Sequence, residues 1–163
     1  MRKFLSNGAM IFAGMVSVPA IVTTVDAKLP QKPSIPAGAF KPDPRLPLLE
    51  KFFAAADAPA KALSHVFLRE ADNNALDWRL LPSISFVEST GGKAAPNNNM
   101  FGWDCGRAEF ASMTDGIRIV ARHLGNADRY RDKNLDDILL AYNPNPDYSR
   151  IVKSVMSRIS PAE

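Results

Sequence analysis

Beyond Pro47, apolar residues recur along most of the chain at spacings of three and four, the period of helices that bury one face. Leu48, Leu49, Phe52 and Phe53 open a short helix, and between Ala60 and Ala71 the residues Leu63, Val66, Phe67 and Ala71 form a stripe for a core. Asp77 is placed to cap a helix through Trp78, Leu81, Ile84 and Val87, although Pro82 suits only a first turn and moves the regular helix toward Leu80. Ser112-Met113-Thr114-Asp115 has the form of a capping box. Ile117, Val120, Ala121 and Leu124 then supply the buried side of the next helix, which Gly125 is expected to stop. Leu135, Ile138, Leu139 and Tyr142 mark another helix, ended by Asn143-Pro144-Asn145-Pro146, and Tyr148, Ile151, Val152, Val155, Met156 and Ile159 mark the last.

From Thr90 to Phe110 no such stripe can be drawn. Its Gly, Asn and Pro content asks for a loop, with a short β piece expected within 97–110, around Met100 to Trp103. No convincing alternating strand and no internal repeat is present, so the fold class is all-α, with about five to seven helices.

Ahead of the helical region the composition changes twice. Arg2 and Lys3 precede an apolar stretch from Phe4 to Val22, which ends in Val25-Asp26-Ala27, short residues at the positions a signal peptidase reads. Residues 1–27 are therefore expected to be a cleaved signal peptide, with a retained membrane anchor as the alternative. Residues 28–47 hold six prolines (Pro30, Pro33, Pro36, Pro42, Pro44 and Pro47) and are expected to form an extended tether. What remains, residues 48–163, is one domain of about 115 residues, enough for a single core.

The formal net charge of the chain is +3, and removing Arg2, Lys3 and Asp26 with the leader leaves +2. The net charge is modest and acid is interspersed among the bases between Arg118 and Arg131, as on a solvated helix face, so nucleic acid is not an expected partner. Cys105 is the only cysteine, so no internal disulfide can form. It is read as a small thiol rather than a nucleophile, because His65 and His123 stand alone in helical runs. The same scarcity supplies no cluster of metal ligands, and no cofactor is expected.

Candidate chemistry centres on Glu88, which closes the apolar run from Trp78 to Val87 and is followed at once by Ser-Thr-Gly-Gly-Lys and then by an asparagine-rich segment. A carboxylate at a helix C-terminus opposes the macrodipole, which favours a functional reason for its presence. An apolar wall on its helix side raises the pKa, while a polar loop opposite can hold a hydroxyl-rich substrate, as a general acid requires. Glycosidic cleavage also needs a group that stabilises the oxocarbenium-like centre. Asp104, beside Trp103, is the best candidate. Glu109 is explained by solvent exposure and Asp115 by capping. Asn98 and Asn99 carry amides suited to sugar hydroxyls and N-acetyl groups, or to turns. Trp103 is expected in the groove and Phe101 in the core. Ser89 is counted with the substrate-binding residues and is expected to hydrogen-bond the loop, since no partner motif supports a serine nucleophile.

Glu88-Ser89-Thr90-Gly91-Gly92-Lys93 followed by Asn98-Asn99-Met100-Phe101-Gly102-Trp103 resembles the E-S-x-x-G-K … N-N-x-F-G signature of bacterial peptidoglycan-cleaving N-acetylglucosaminidases, within the lysozyme-like superfamily. Ala141-Tyr142-Asn143-Pro144 is similar to the Ala-Tyr-Asn motif of lytic transglycosylases. The resemblance spans roughly Ala71 to Ile159. It implies a lysozyme-like domain, Glu88 as general acid, a cleft-facing hydroxyl on Tyr142, and a substrate N-acetyl group that can replace a second carboxylate. The expected function is that of an exported glycosidase, periplasmic or secreted, cleaving β-1,4 bonds between N-acetylglucosamine and N-acetylmuramic acid. Its expected partner is the peptidoglycan glycan strand, with no stable membrane insertion after leader removal and a monomeric state. The alternatives are a lytic transglycosylase forming anhydro-muramyl ends, and a non-catalytic wall-binding module.

Overall fold

The computed structural model describes residues 42–161; the expected signal peptide and the tether as far as residue 41 lie outside the described residues. Helix α1, Arg45–Ala55, starts earlier than the sequence pattern suggests and takes the last three residues of the expected tether. Pro47 fits there because the first turn of a helix has no use for its missing N–H. Asp43 accepts hydrogen bonds from the backbone and guanidinium of Arg45, which reaches across to Asp72 at 2.7 Å and ties the start of α1 to the next helix. The stripe expected over Ala60 to Ala71 divides into a 3-10 turn, Pro59–Leu63, and helix α2, Ser64–Asn73.

Helix α3, Leu80–Ser89, begins where Pro82 allows, with Asp77 accepting from the Arg79 backbone N–H at 2.9 Å. Leu80 to Ser85 are all buried, the serines Ser83 and Ser85 among them, so α3 is the central helix of the domain, covered on every side along its first half. It packs most extensively against α6, Pro146–Ile159, whose inner face carries Tyr148, Val152, Val155, Met156 and Ile159. Helix α4, Met113–Asn126, is capped by Ser112, which accepts from the Asp115 N–H, and it packs on α2. Helix α5, Leu135–Tyr142, is capped by Asn134, and α6 by Asn145. The short segment between α5 and α6 is therefore both a stop and a start.

Two expectations are corrected. Gly125 does not stop α4, which runs on to Asn126; a Cβ at Gly125 would stand 2.5 Å from the Asn74 carbonyl oxygen, so the glycine is there for close approach of the turn after α2. The short β piece is also missing: among the described residues there is no strand, and 97–110 is a 3-10 turn followed by tight turns. Four non-glycine residues of that stretch, Asn97, Asn98, Asp104 and Cys105, have φ between 52° and 59°, the left-handed region, which interrupts any extended run. The fold is all-α. Among the described residues no helix is long and apolar enough to cross a membrane.

The core runs from α1 through α2 into the loop. Phe53, Phe67 and Phe101 are fully buried, with ring centroids 5.7 Å apart for the first pair and 6.4 Å for the second. Phe101 thereby anchors the loop that follows α3 and fixes what stands beside Glu88.

Candidate active site

Glu88 is the penultimate residue of α3 and is open to solvent. The helix ends at once because Thr90 takes a left-handed conformation, φ 54°, and the Thr90 and Gly91 N–H groups cap the carbonyls of Phe86 and Ser85. Gly91 then passes so close to Phe53 and Ala58 that a Cβ would meet them at 3.0 Å or less. Its carbonyl accepts from the Ala60 N–H at 3.0 Å, which fastens the loop to the 3-10 turn before α2.

The buried Ser89 hydroxyl donates to the carbonyl of Met100 at 2.9 Å and accepts from the Gly92 N–H at 2.9 Å. Asn99, 3% exposed, closes a ring of two bonds on Trp103: its Oδ1 accepts from the Trp103 N–H and its Nδ2 donates to the Trp103 carbonyl. Asn98 donates to the Phe110 carbonyl at 2.9 Å. These three side chains thus shape the loop. The Ser89 hydroxyl, both polar atoms of the Asn99 amide and the Asn98 Nδ2 are engaged within it, so all three residues have a structural role in the loop.

The carboxyl of Glu88 is held from two directions. Its Oε1 accepts a hydrogen bond from the Tyr148 hydroxyl at 2.8 Å, and a Cβ on Gly102 would lie 2.7 Å from Oε2. Glycine at 102, with φ 59°, is therefore required both by the backbone turn and by the carboxylate beside it. Burial among the rings pushes the Glu88 pKa upward, and the Tyr148 bond pulls it part of the way back; the net shift is upward. Solvent on the open side moderates this effect without reversing it.

Tyr148 is buried at the start of α6 and stacks on Tyr142, with centroids 5.8 Å apart and planes 12° from parallel. The Tyr142 hydroxyl donates to the Phe101 carbonyl, fixing the peptide that leads to Gly102. One tyrosine holds the acid and its stacked neighbour holds the backbone that the acid abuts. Burial keeps both phenols protonated well above the usual tyrosine range, helped by the nearby Glu88 charge.

Next to this cluster is a groove of about 370 Å³ lined by Gly102, Trp103, Asp104, Cys105, Arg129, Tyr130 and Tyr142. Trp103 lies between Tyr142 and His123, with centroids 5.8 and 5.5 Å away, and is half-buried: one part packs on the core while the rest lines the groove. Asp104 reaches the groove from an exposed turn, but its carboxylate is bound by Arg107 at 2.8 Å. Asp115 is engaged by Ser112 and Arg118, and Glu109 is exposed. Among the described residues, no second carboxylate is hydrogen-bonded into the Glu88 cluster, and no group of three His, Cys, Asp or Glu side chains is placed to hold a metal.

Tyr148, Tyr130 and Arg129 are site residues that the sequence pattern did not single out. Tyr148 was legible only as the first apolar position of the α6 stripe. Its place six residues after Tyr142, across Asn-Pro-Asn-Pro, was the available signal.

The arrangement is a carboxylic acid that keeps its proton to higher pH than a free glutamate, open to solvent, with aromatic faces and backbone groups alongside. No family model, curated protein or solved structure matches the chain.

Proposed function

We propose that the chain is a peptidoglycan glycosidase that cleaves the β-1,4 bond between N-acetylglucosamine and N-acetylmuramic acid, with Glu88 protonating the leaving oxygen. The observation that carries this reading is the Glu88 carboxyl itself, seated between the Tyr148 hydroxyl and Gly102 with its pKa pushed up by burial, at the edge of an aromatic groove. A proton donor must be largely protonated at the working pH and must be held still, and both conditions favour this geometry. Trp103 and the adjoining rings offer flat apolar faces for sugar rings. The resemblance of Glu88 to Lys93 and Asn98 to Trp103 to the glucosaminidase signature supports the same substrate, and the Arg2-Lys3 leader supports export to the periplasm or beyond.

With Asp104 engaged by Arg107, the mechanism proposed has one protein acid, the substrate N-acetyl group stabilising the electron-poor centre. The same observation favours a second reading, a lytic transglycosylase. There the muramyl 6-hydroxyl attacks, and neither a second carboxylate nor a water is needed. In either case the wild-type chain should clear a suspension of cell-wall sacculi and E88Q should clear it slower by roughly two to four orders of magnitude, with its fold intact. Equal clearing by both removes Glu88 from the mechanism, and no clearing by either leaves a wall-binding module.

A further inference from the structure

Among the described residues that line the groove beside Glu88, one is a cation, Arg129. Seven arginines of the described domain have a carboxylate partner; Arg129, like Arg122 and Arg158, has none among the described residues, and of these three it is the one that lines the groove. Two neutral groups locate its guanidinium instead: the Tyr130 ring, 5.7 Å from centroid to carbon, and the carbonyl of Ala141, to which it donates. Neither neutralises the charge. Asp104, the acid on the groove's rim, is already paired with Arg107, so it does not neutralise the charge either.

A guanidinium carries five N–H donors in a planar fork, and a carbonyl uses one. The remaining donors suit the two oxygens of a carboxylate, bound in parallel. Arg129 thus stands in a groove of three aromatic rings as an uncompensated, pre-oriented anion receptor.

We propose that Arg129 is a specificity-determining residue that binds a carboxylate pendant on the glycan strand, so that the groove selects acid-bearing muramoyl strands over neutral chitin-like ones. The proposal rests on the glycan reading of the same groove. In an alternating strand the muramoyl sugar carries a lactyl ether that ends in a carboxylate, or in an amide to a stem peptide with carboxylates of its own. A chitin strand has the same sugar frame and no acid. Stacking against Trp103, Tyr130 and Tyr142 accepts either strand; the charge at Arg129 distinguishes them.

The test is calorimetric titration of the E88Q chain, in which turnover is slowed enough for binding to be read, with three tetrasaccharides: chitotetraose, an unsubstituted N-acetylglucosamine/N-acetylmuramic acid repeat, and the same repeat bearing stem peptides. An acid-bearing ligand should bind about tenfold tighter than chitotetraose, the scale of one charge-assisted pair at a partly exposed site. The preference should collapse when salt is raised from about 50 to about 500 mM. Adding R129Q should bring it to within about twofold while chitotetraose affinity is kept, and R129K should retain part of it.

Preference for the unsubstituted repeat assigns the lactyl carboxylate, and preference for the stem-bearing repeat alone assigns the peptide carboxylates; both support the proposal. Equal affinities in the Arg129 chain, a salt-insensitive preference, or one that survives R129Q overturns it while leaving the glycan reading in place, provided chitotetraose binds. If no sugar binds at all, both readings fall.

Discussion

Glu88 is subject to two opposing influences, and their signs make its titration testable. Burial raises its pKa, and the Tyr148 hydroxyl lowers it by stabilising the ionised form. In Y148F the raising influence is left unopposed, so the proton is held to still higher pH. A general acid loses activity as pH rises through its pKa, so the alkaline limb of the kcat/KM profile should move to higher pH in Y148F; an unmoved limb would mean that Tyr148 does not touch the acid in the working enzyme. The same upward shift has a consequence for stability. A carboxyl whose folded-state pKa is raised contributes stability that is complete below its unfolded pKa and is lost as pH rises through the folded one. Above that window the ionised Glu88 opposes folding, and E88Q should melt no lower than wild type at about pH 8, whereas a merely structural glutamate would leave a less stable protein when replaced. Thermal melts at two pH values check it.

At the scale of elements, the site is a contact between the end of α3, the start of α6 and the loop that Phe101 anchors. Helices were legible because capping residues and apolar stripes act locally: Ser112 caps α4, which buries the stripe drawn from its sequence, and α6 buries its stripe except for Ile151, which is exposed. The loop was legible as a loop but not in its shape. Its turns place Asp104 and Cys105 at φ 52° and 53°, and an Asp-Cys pair carries no signal for two successive left-handed residues as an Asn-Gly pair would. The role of Asn99 was hidden for a related reason, since a polar side chain in a glycine-rich segment looks alike whether it faces a ligand or the loop's own backbone. Tyr148 was hidden because a tyrosine in an apolar stripe gives its ring to the core and its hydroxyl to whatever stands across from it, here a residue 60 positions away. Gly102 supplies the element-scale prediction. G102A forces a side chain into the left-handed region, at a cost of about 1 kcal/mol, and sets its Cβ against Glu88. Activity should fall much further than that loss of stability explains, read as kcat/KM against the denaturation midpoint; equal losses would mean that Gly102 serves only the turn.

Across the whole molecule, the aromatic line Phe53, Phe67 and Phe101 joins the stability of the domain to the geometry of the site. Removing its middle member in F67A should cost about 3 to 5 kcal/mol, a large share of the 5 to 15 kcal/mol typical of a domain, and should remove activity and folding together. Y148F and E88Q should instead separate the two. A chemical denaturation series on these variants reads the distinction, and an F67A chain of wild-type stability would contradict the core described. Fold class was accessible from periodicity alone because every helix hides one face, whereas the pairing of Tyr148 with Glu88 depends on how α6 returns across α3, a long-range fact with no local signature. The bond that is broken, and the end groups it leaves, separate hydrolysis from transglycosylation. Mass spectrometry of the fragments released from sacculi reads this directly: wild type should give products ending in reducing N-acetylglucosamine, and E88Q none above background. Fragments dominated by anhydro-muramyl ends, one water lighter, would assign the transglycosylase instead, and identical fragments from both chains, or none from either, would contradict Glu88 as the proton donor.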